Sequence, residues 1–242
     1  MFQIQWLGQS AFVLDSDGHR LLTDPWIRKN PVCRTPLEDL LDAESIIVSH
    51  GHFDHFGDTI ELMERSQAML AVDPEISWYM SRYGYERNKR LFPVAQGGAV
   101  QLGKNRVTAV PAIHPSAIYG EEWQTEKRWL PNASALSFII ENPDAPTVYF
   151  AGDTALFSDM QLFARRYKPE IALLPIGGRF TMDALDAEEA VGFLGCRYVI
   201  PCHYNTNPEL IADAEAFRAK VEARYPGVKV IVLAPGESYQ FS

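Results

Sequence analysis

The stretch Ile46-Ile47-Val48-Ser49-His50-Gly51-His52-Phe53-Asp54-His55 decides both the fold and the chemistry. Ile46 to Val48 is short and wholly apolar, the mark of a strand covered on both faces. Three histidines and an aspartate then fall within six residues, at 50, 52, 54 and 55. Buried beside an apolar strand, such a cluster is costly unless a cation satisfies it. The spacing suits a two-metal clamp. Residues i and i+2 of an extended segment point to one side, so His50 and His52 can share one ion. The chain must then turn to aim Asp54 and His55 at a second ion, and Gly51 and Gly57 ease that tight path.

Working outward, three further candidates follow apolar runs. Val107 to Ile113 precedes His114, Thr147 to Gly152 precedes Asp153, and Tyr198 to Cys202 precedes His203. Layered α/β folds place chemistry at strand ends, where rigid strands give way to loops around a crevice. His114 would complete the nitrogen set of the first ion and His203 that of the second, with the two oxygens of Asp153 bridging them. The expected metal set is therefore His50, His52, Asp54, His55, His114, Asp153 and His203. A water or hydroxide held between two divalent cations would complete the site. Imidazole and carboxylate without thiolate fit zinc first and manganese second, and are compatible with iron, nickel or cobalt. The remaining histidine, His19, falls in a hairpin turn and is expected at the surface.

The 242 residues are 47% hydrophobic and 22% charged, in keeping with one α/β domain spanning 1–242 and able to bury a sizeable core. A net charge of -9 argues against binding a large nucleic acid or an anionic lipid surface, which need lysine and arginine. No segment approaches the roughly 18 apolar residues of a membrane span, and Met1 to Trp6 does not read as a signal peptide. A soluble cytoplasmic protein is expected. The three cysteines, Cys33, Cys196 and Cys202, are scattered and suggest no disulfide framework. Strand alternation turns Cys202 away from the side of His203, so its role is structural.

The opening reads as a β-meander. Phe2, Ile4 and Trp6 alternate with polar residues, Ala11 to Leu14 is apolar, and Asp15 to Gly18 turns the chain into Arg20-Leu21-Leu22. Asp24-Pro25 ends that strand and the path to Pro36 is irregular. A helix opens with Asp58 as N-cap and Glu61 three residues on. Strands are predicted near 68–72, 99–102, 106–112, 135–140, 147–151, 171–174, 198–202 and 228–233. Helices are predicted near 75–83, 158–167 (with Ser158 and Gln161 as a capping box), 184–194 and 209–224. Strands interleaved with helices at this spacing indicate layered α/β architecture.

Taken together, His50 to His55, His114, Ala151-Gly152-Asp153-Thr154 and His203 resemble the signature of the metallo-β-lactamase superfamily. Tyr149 to Phe157, Lys168 to Met182, Ile200 to Thr206 and the opening Ile4 to Gly8 are similar to a narrower group, the metal-dependent hydrolases related to L-ascorbate-6-phosphate lactonase. The similarity runs over nearly the whole chain. It implies a four-layer αβ/βα sandwich, with two sheets face to face, helices outside and metals at the edge where the sheets meet. It also implies hydrolysis of lactones, esters, thioesters, amides or phosphodiesters. One departure stands out. The narrower group carries a short Gly-rich connection after its strand-end histidine, whereas the 115–134 segment here is longer and holds Tyr119, Trp123 and Trp129. It either lines or covers the pocket, or forms a solvated surface excursion or subunit contact.

The expected function is a dinuclear metal-dependent hydrolase that uses a metal-bridging hydroxide to cleave an ester, lactone or related acyl bond in a small molecule. Asp54, Asp153 and His203 are the expected catalytic residues. Asp24 and Thr154 are placed to support the metal-binding imidazoles. Arg179, at another strand end, can hold a carboxylate or phosphate with its fork, and Tyr204 and Asn205, like Ser116, are substrate contacts by adjacency to ligands. The alternatives are a phosphodiesterase on a small nucleotide or lipid head group and a non-catalytic metal-binding protein. A diiron redox enzyme fits poorly, because its relatives carry Glu at position 52 and an added flavin domain. The resemblance also allows a homo-oligomer.

Overall fold

Alternation along the N-terminal strands sets the layers. In the computed structural model, which describes residues 1–132 and 134–241, β1 (Phe2–Gly8), β2 (Ala11–Ser16) and β3 (His19–Thr23) form an antiparallel meander. Phe2, Ile4, Trp6, Phe12, Leu14 and Leu21 turn to one face and join the core between the sheets. Leu7, Val13 and Leu22 turn to the other face, as period-2 geometry demands, and pack under helices. Strands β4 (Ser45–Ile47), β5 (Met69–Val72) and β6 (Leu91–Pro93) extend this sheet in parallel. Helices α1 (Phe53–Phe56), α2 (Thr59–Arg65) and α3 (Pro74–Ser81) lie on its outer face.

The second sheet begins with β7 (Ala99–Leu102) and β8 (Asn105–Pro111). An excursion follows, built from β9 (Ala117–Ile118), α4 (Glu121–Glu126) and β10 (Leu130–Pro131). The sheet resumes with β11 (Leu136–Asn142) and β12 (Ala145–Phe150). Then α5 (Met160–Tyr167), β13 (Ile171–Pro175), α6 (Ala184–Leu194), β14 (Tyr198–Cys202), α7 (Ala214–Arg224) and β15 (Lys229–Val230) alternate. β16 (Ser238–Phe241) crosses back to pair with β1. The sheet orders are β16-β1-β2-β3-β4-β5-β6 and β15-β14-β13-β12-β11-β8-β7. Their inner faces meet at contacts such as Phe12 with Phe150, whose ring centres are 6.5 Å apart. Phe163 of α5, Val191 of α6 and Phe217 of α7 cover the far side of the second sheet. This is the expected four-layer αβ/βα sandwich. Among the described residues, no helix is long and apolar enough to cross a membrane.

Several boundaries depart from the sequence reading. Asp58 precedes α2 but makes no cap; its carboxylate accepts from the backbone N–H groups of Ile27 and Arg28 instead, and Glu61 pairs with Arg28 and Arg65. The two acids therefore fasten the irregular 24–36 segment to α2. Ser158 and Gln161 form no capping box, because the Ser158 hydroxyl turns to the Asp159 carboxylate. The helix expected from 209 starts at 214, where Asp213 accepts from the N–H groups of Glu215 and Ala216. The strand expected over 228–233 pairs only at 229–230.

Candidate metal centre

The expected ligands lie beyond the C-terminal ends of four strands. His50 and His52 follow β4, Asp54 and His55 lie in the single turn of α1, His114 follows β8, Asp153 follows β12 and His203 follows β14. Two glycines make the close approach possible. Gly57 adopts φ +40°, and a Cβ there would lie 2.6 Å from the Pro25 carbonyl oxygen; Gly152 adopts φ +57°, and a Cβ would meet Ser49 Cβ at 2.7 Å. The Leu136 N–H donates to the Ser49 carbonyl at 2.9 Å, tying the two sheets together beneath the site.

The seven side chains converge in two groups. In the first, Nδ1 of His52 lies 2.9 Å from Nε2 of His50 and 3.4 Å from Nε2 of His114. In the second, Asp54 Oδ2 lies 3.6 Å from His55 Nε2 and 3.5 Å from His203 Nε2. Asp153 reaches both groups: its Oδ1 is 3.3 Å from His55 Nε2, and its Oδ2 is 3.2 Å from His203 Nε2 and 3.6 Å from His114 Nε2. Around a tetrahedral ion with bonds of about 2.0–2.2 Å, donor atoms stand roughly 3.3–3.6 Å apart. Most of the separations match, while the His50–His52 pair, at 2.9 Å, is closer.

Polar bookkeeping makes the same point. Among the described residues, the buried atoms His55 Nε2 and Asp153 Oδ1 have no hydrogen-bond partner although they face one another. Orphaned buried donors and acceptors are costly, and a divalent cation between them removes the cost. The donor set therefore fits a metal. Electrostatics separates the groups. Burial, with repulsion from neighbouring imidazoles, holds His50 well below the ordinary histidine range and His52 down at about 4. Burial also lowers His114. At His55 burial opposes the charge, but the carboxylates of Asp153, Asp54 and Asp24 outweigh it and raise the imidazole well above its usual range. Asp54 is likewise opposed by burial yet brought down to about 2 by His55 and His203.

Supporting residues lie behind the ligands. Asp24 is fully buried; it accepts from the Ser49 N–H at 2.7 Å, from the Ser49 hydroxyl at 2.6 Å and from His55 Nδ1 at 2.6 Å. Ser49 Oγ in turn contacts His50 Nδ1 at 3.0 Å. One carboxylate thus orients an imidazole from each group, the arrangement expected behind metal ligands. Among the described residues Thr154 makes no hydrogen bond to an imidazole. It accepts from the Ile113 N–H at 3.0 Å and so fixes the backbone entering His114.

A cavity of about 300 Å³ opens over the ligands, walled by Phe53, Pro115, Tyr119, Phe180, Leu210, Asn207 and Glu209. Tyr119 comes from the aromatic excursion and meets His52 edge-on at 5.5 Å, with Trp123 and Trp129 packed around it. The 115–134 segment therefore does line the pocket, while Trp129 stays exposed; residue 133 lies outside the described residues.

None of the four expected substrate contacts walls the cavity: Ser116 accepts from Asn132 Nδ2 at 2.8 Å, and the other three turn to other tasks. Tyr204 is 7% exposed and stacks on Trp6 at 5.3 Å, within the core. Asn205 brackets the Ala212 backbone, donating to its carbonyl at 3.0 Å and accepting from its N–H at 3.1 Å. Arg179 pairs with Glu209 at 3.0 Å on the rim and is 59% exposed. Adjacency to His203 misleads because His203 and Asn205 both adopt positive φ, at 54° and 55°. The strand alternation is lost there, so Tyr204 turns inward and Asn205 instead builds the loop that carries Asn207, Glu209 and Leu210 to the cavity. Asp54, Asp153 and His203 all line the cavity.

Gln9 was missed. It sits in the β1–β2 turn with φ 53° and is 1% exposed. Its Nε2 lies 2.7 Å from both Asp54 Oδ2 and His203 Nε2. Only the positive-φ turn after Gly8 brings it there, and no spacing rule announces that.

Comparison with known proteins agrees with this geometry. Residues 19–204 match the beta-lactamase superfamily domain. The chain is 38% identical over 238 residues to a UPF0173 metal-dependent hydrolase of Caldivirga maquilingensis, across 98% of this chain and 97% of that one. It is 40% identical over 240 residues to the Methanosarcina mazei protein of the same name, across 98% of each. Igni18, a metallo hydrolase from the hyperthermophilic archaeon Ignicoccus hospitalis, shares 34% identity and superposes with a TM-score of 0.84 over 100% of this chain and 99% of its own. The sandwich, the converging histidines and these likenesses together make the chain a member of the metallo-β-lactamase superfamily, among its UPF0173 metal-dependent hydrolases.

Proposed function

We propose that this metal-dependent hydrolase is dinuclear and cleaves an ester, lactone or related acyl bond of a small molecule. Asp153 carries the reading: one carboxylate lies within 3.6 Å of imidazoles from both ligand groups, so it joins two subsites rather than completing one. Two divalent cations, zinc first and manganese second, would supply Lewis acidity and an activated water near neutral pH. His50, His52 and His114 would hold one, and Asp54, His55 and His203 the other, with Asp153 between.

The chain's own residues do the rest. Asp54 lines the cavity beside His203 and is placed to take a proton from the attacking water and deliver it toward the leaving group. Phe53, Tyr119, Phe180 and Leu210 hold an apolar substituent and exclude water from the ligands. A volume of about 300 Å³ suits a small molecule. Among the described residues the cavity wall carries no lysine or arginine, and Arg179 is already paired with Glu209. That favours an uncharged acyl group over a phosphodiester, and the lactonase resemblance makes lactones the first probes.

The test is hydrolysis of a panel of lactones, aryl esters and chromogenic phosphodiesters by protein purified without chelator. Acyl cleavage lost to a chelator and restored by Zn²⁺ or Mn²⁺ is expected. Turnover confined to phosphodiesters would overturn the acyl assignment.

A further inference from the structure

Gln9 touches both halves of one ligand group. One N–H of its amide donates to Asp54 Oδ2 at 2.7 Å and the other faces His203 Nε2 at the same distance. Both contacts fall on atoms that the second ligand group offers, so the amide bridges the pair. The mount of the amide owes nothing to a metal. Its Oε1 accepts the Thr206 hydroxyl, and its backbone carbonyl accepts from Trp6 Nε1 at 3.0 Å and from the His203 N–H at 3.0 Å. Asp54 belongs to the first half of the fold and His203 to the second; Gln9 spans them.

We infer that Gln9 is a positioning residue for the second subsite: its amide holds Asp54 and His203 at the 3.5 Å separation that one cation needs. The inference rests on the reading that Asp54, His55 and His203 take a metal. A rival effect runs the other way, since a cation taking Nε2 displaces one N–H of Gln9. That loss is a single neutral hydrogen bond, roughly fivefold in affinity. With the cation bound the amide keeps its bond to Asp54, and releasing a ligand from such a partner costs about 10–100-fold in metal affinity. The positioning effect therefore wins. Among the described residues no side-chain amide hydrogen-bonds to His50, His52 or His114, so the first subsite is independent of Gln9.

The experiment is a Co²⁺ titration of the metal-free protein, read by the d–d absorption of each equivalent. It compares wild type with Gln9→Leu, which keeps volume without polarity, and Thr206→Val, which leaves Gln9 but removes its anchor. Melting of the metal-free proteins checks folding. The expected result is an unchanged first equivalent and a second equivalent at least about tenfold weaker in Gln9→Leu, with a smaller loss in Thr206→Val. Two wild-type equivalents with the second as tight, or tighter, in both variants would overturn the role of Gln9 alone. A wild type that takes fewer than two would overturn the dinuclear reading and this inference with it.

Discussion

Asp24 Oδ2 lies 2.6 Å from His55 Nδ1, with both side chains fully out of solvent. The contact makes Nδ1 the donor, so Nε2 must face Asp153 and the cavity floor. Replacing Asp24 by Ala should lower metal affinity about 10–100-fold without touching any ligand, measured by competition with a chromophoric chelator. An unchanged affinity would show that the imidazole is held by packing alone.

Metal loading should release protons unequally. In the metal-free chain His50, His52 and His114 are held neutral, whereas carboxylates raise His55 well above the ordinary range and His203 to about 9. A ligand must give up its proton to bind, so affinity at the Asp54, His55 and His203 subsite should rise with pH from 6 to 9 by roughly tenfold per unit for each proton expelled. The first subsite should stay nearly flat over that window. Calorimetry in buffers of different ionisation enthalpy measures the protons directly; equal release at both steps would contradict the assignment.

Tyr119 forms part of the cavity wall against His52. Tyr119→Ala removes binding surface without removing a ligand. For an apolar acyl probe, KM should rise about tenfold with kcat little changed. A fall in kcat at constant KM would place the ring in the chemistry instead.

Cys196 and Cys202 are buried, and burial pushes the Cys196 thiol up to about 12 and Cys202 well above its usual range. Cys33 is only half-buried. A thiol reagent should therefore modify Cys33 alone in the native protein and all three cysteines in denaturant. Rapid native labelling of Cys202 would mean that the strand leading to His203 opens readily.

The strand ends that carry His50, His114, Asp153 and His203 were legible because each follows an apolar run, and a polar residue there has one place to go. The three-histidine loop was legible from its spacing, and the turn it requires is a single turn of helix. What escaped depends on turns. Gln9 lies 45 residues from Asp54 and reaches it through a positive-φ turn. Asn207, Glu209 and Leu210 reach the cavity because His203 and Asn205 break the strand register, and the same break sends Tyr204 into the core. Asp58 shows the limit at helix starts: a cap-like acid serves whichever backbone N–H groups the fold brings nearest, here those of Ile27 and Arg28.

The most direct test is metal content by elemental analysis, for wild type and Asp153→Ala, after reconstitution and removal of loosely held ions. The account predicts about two divalent ions per wild-type chain and loss of stable loading in the variant, because the shared carboxylate is what joins the two subsites. A wild type that takes no metal, or an Asp153→Ala chain that loads as wild type does, would contradict it.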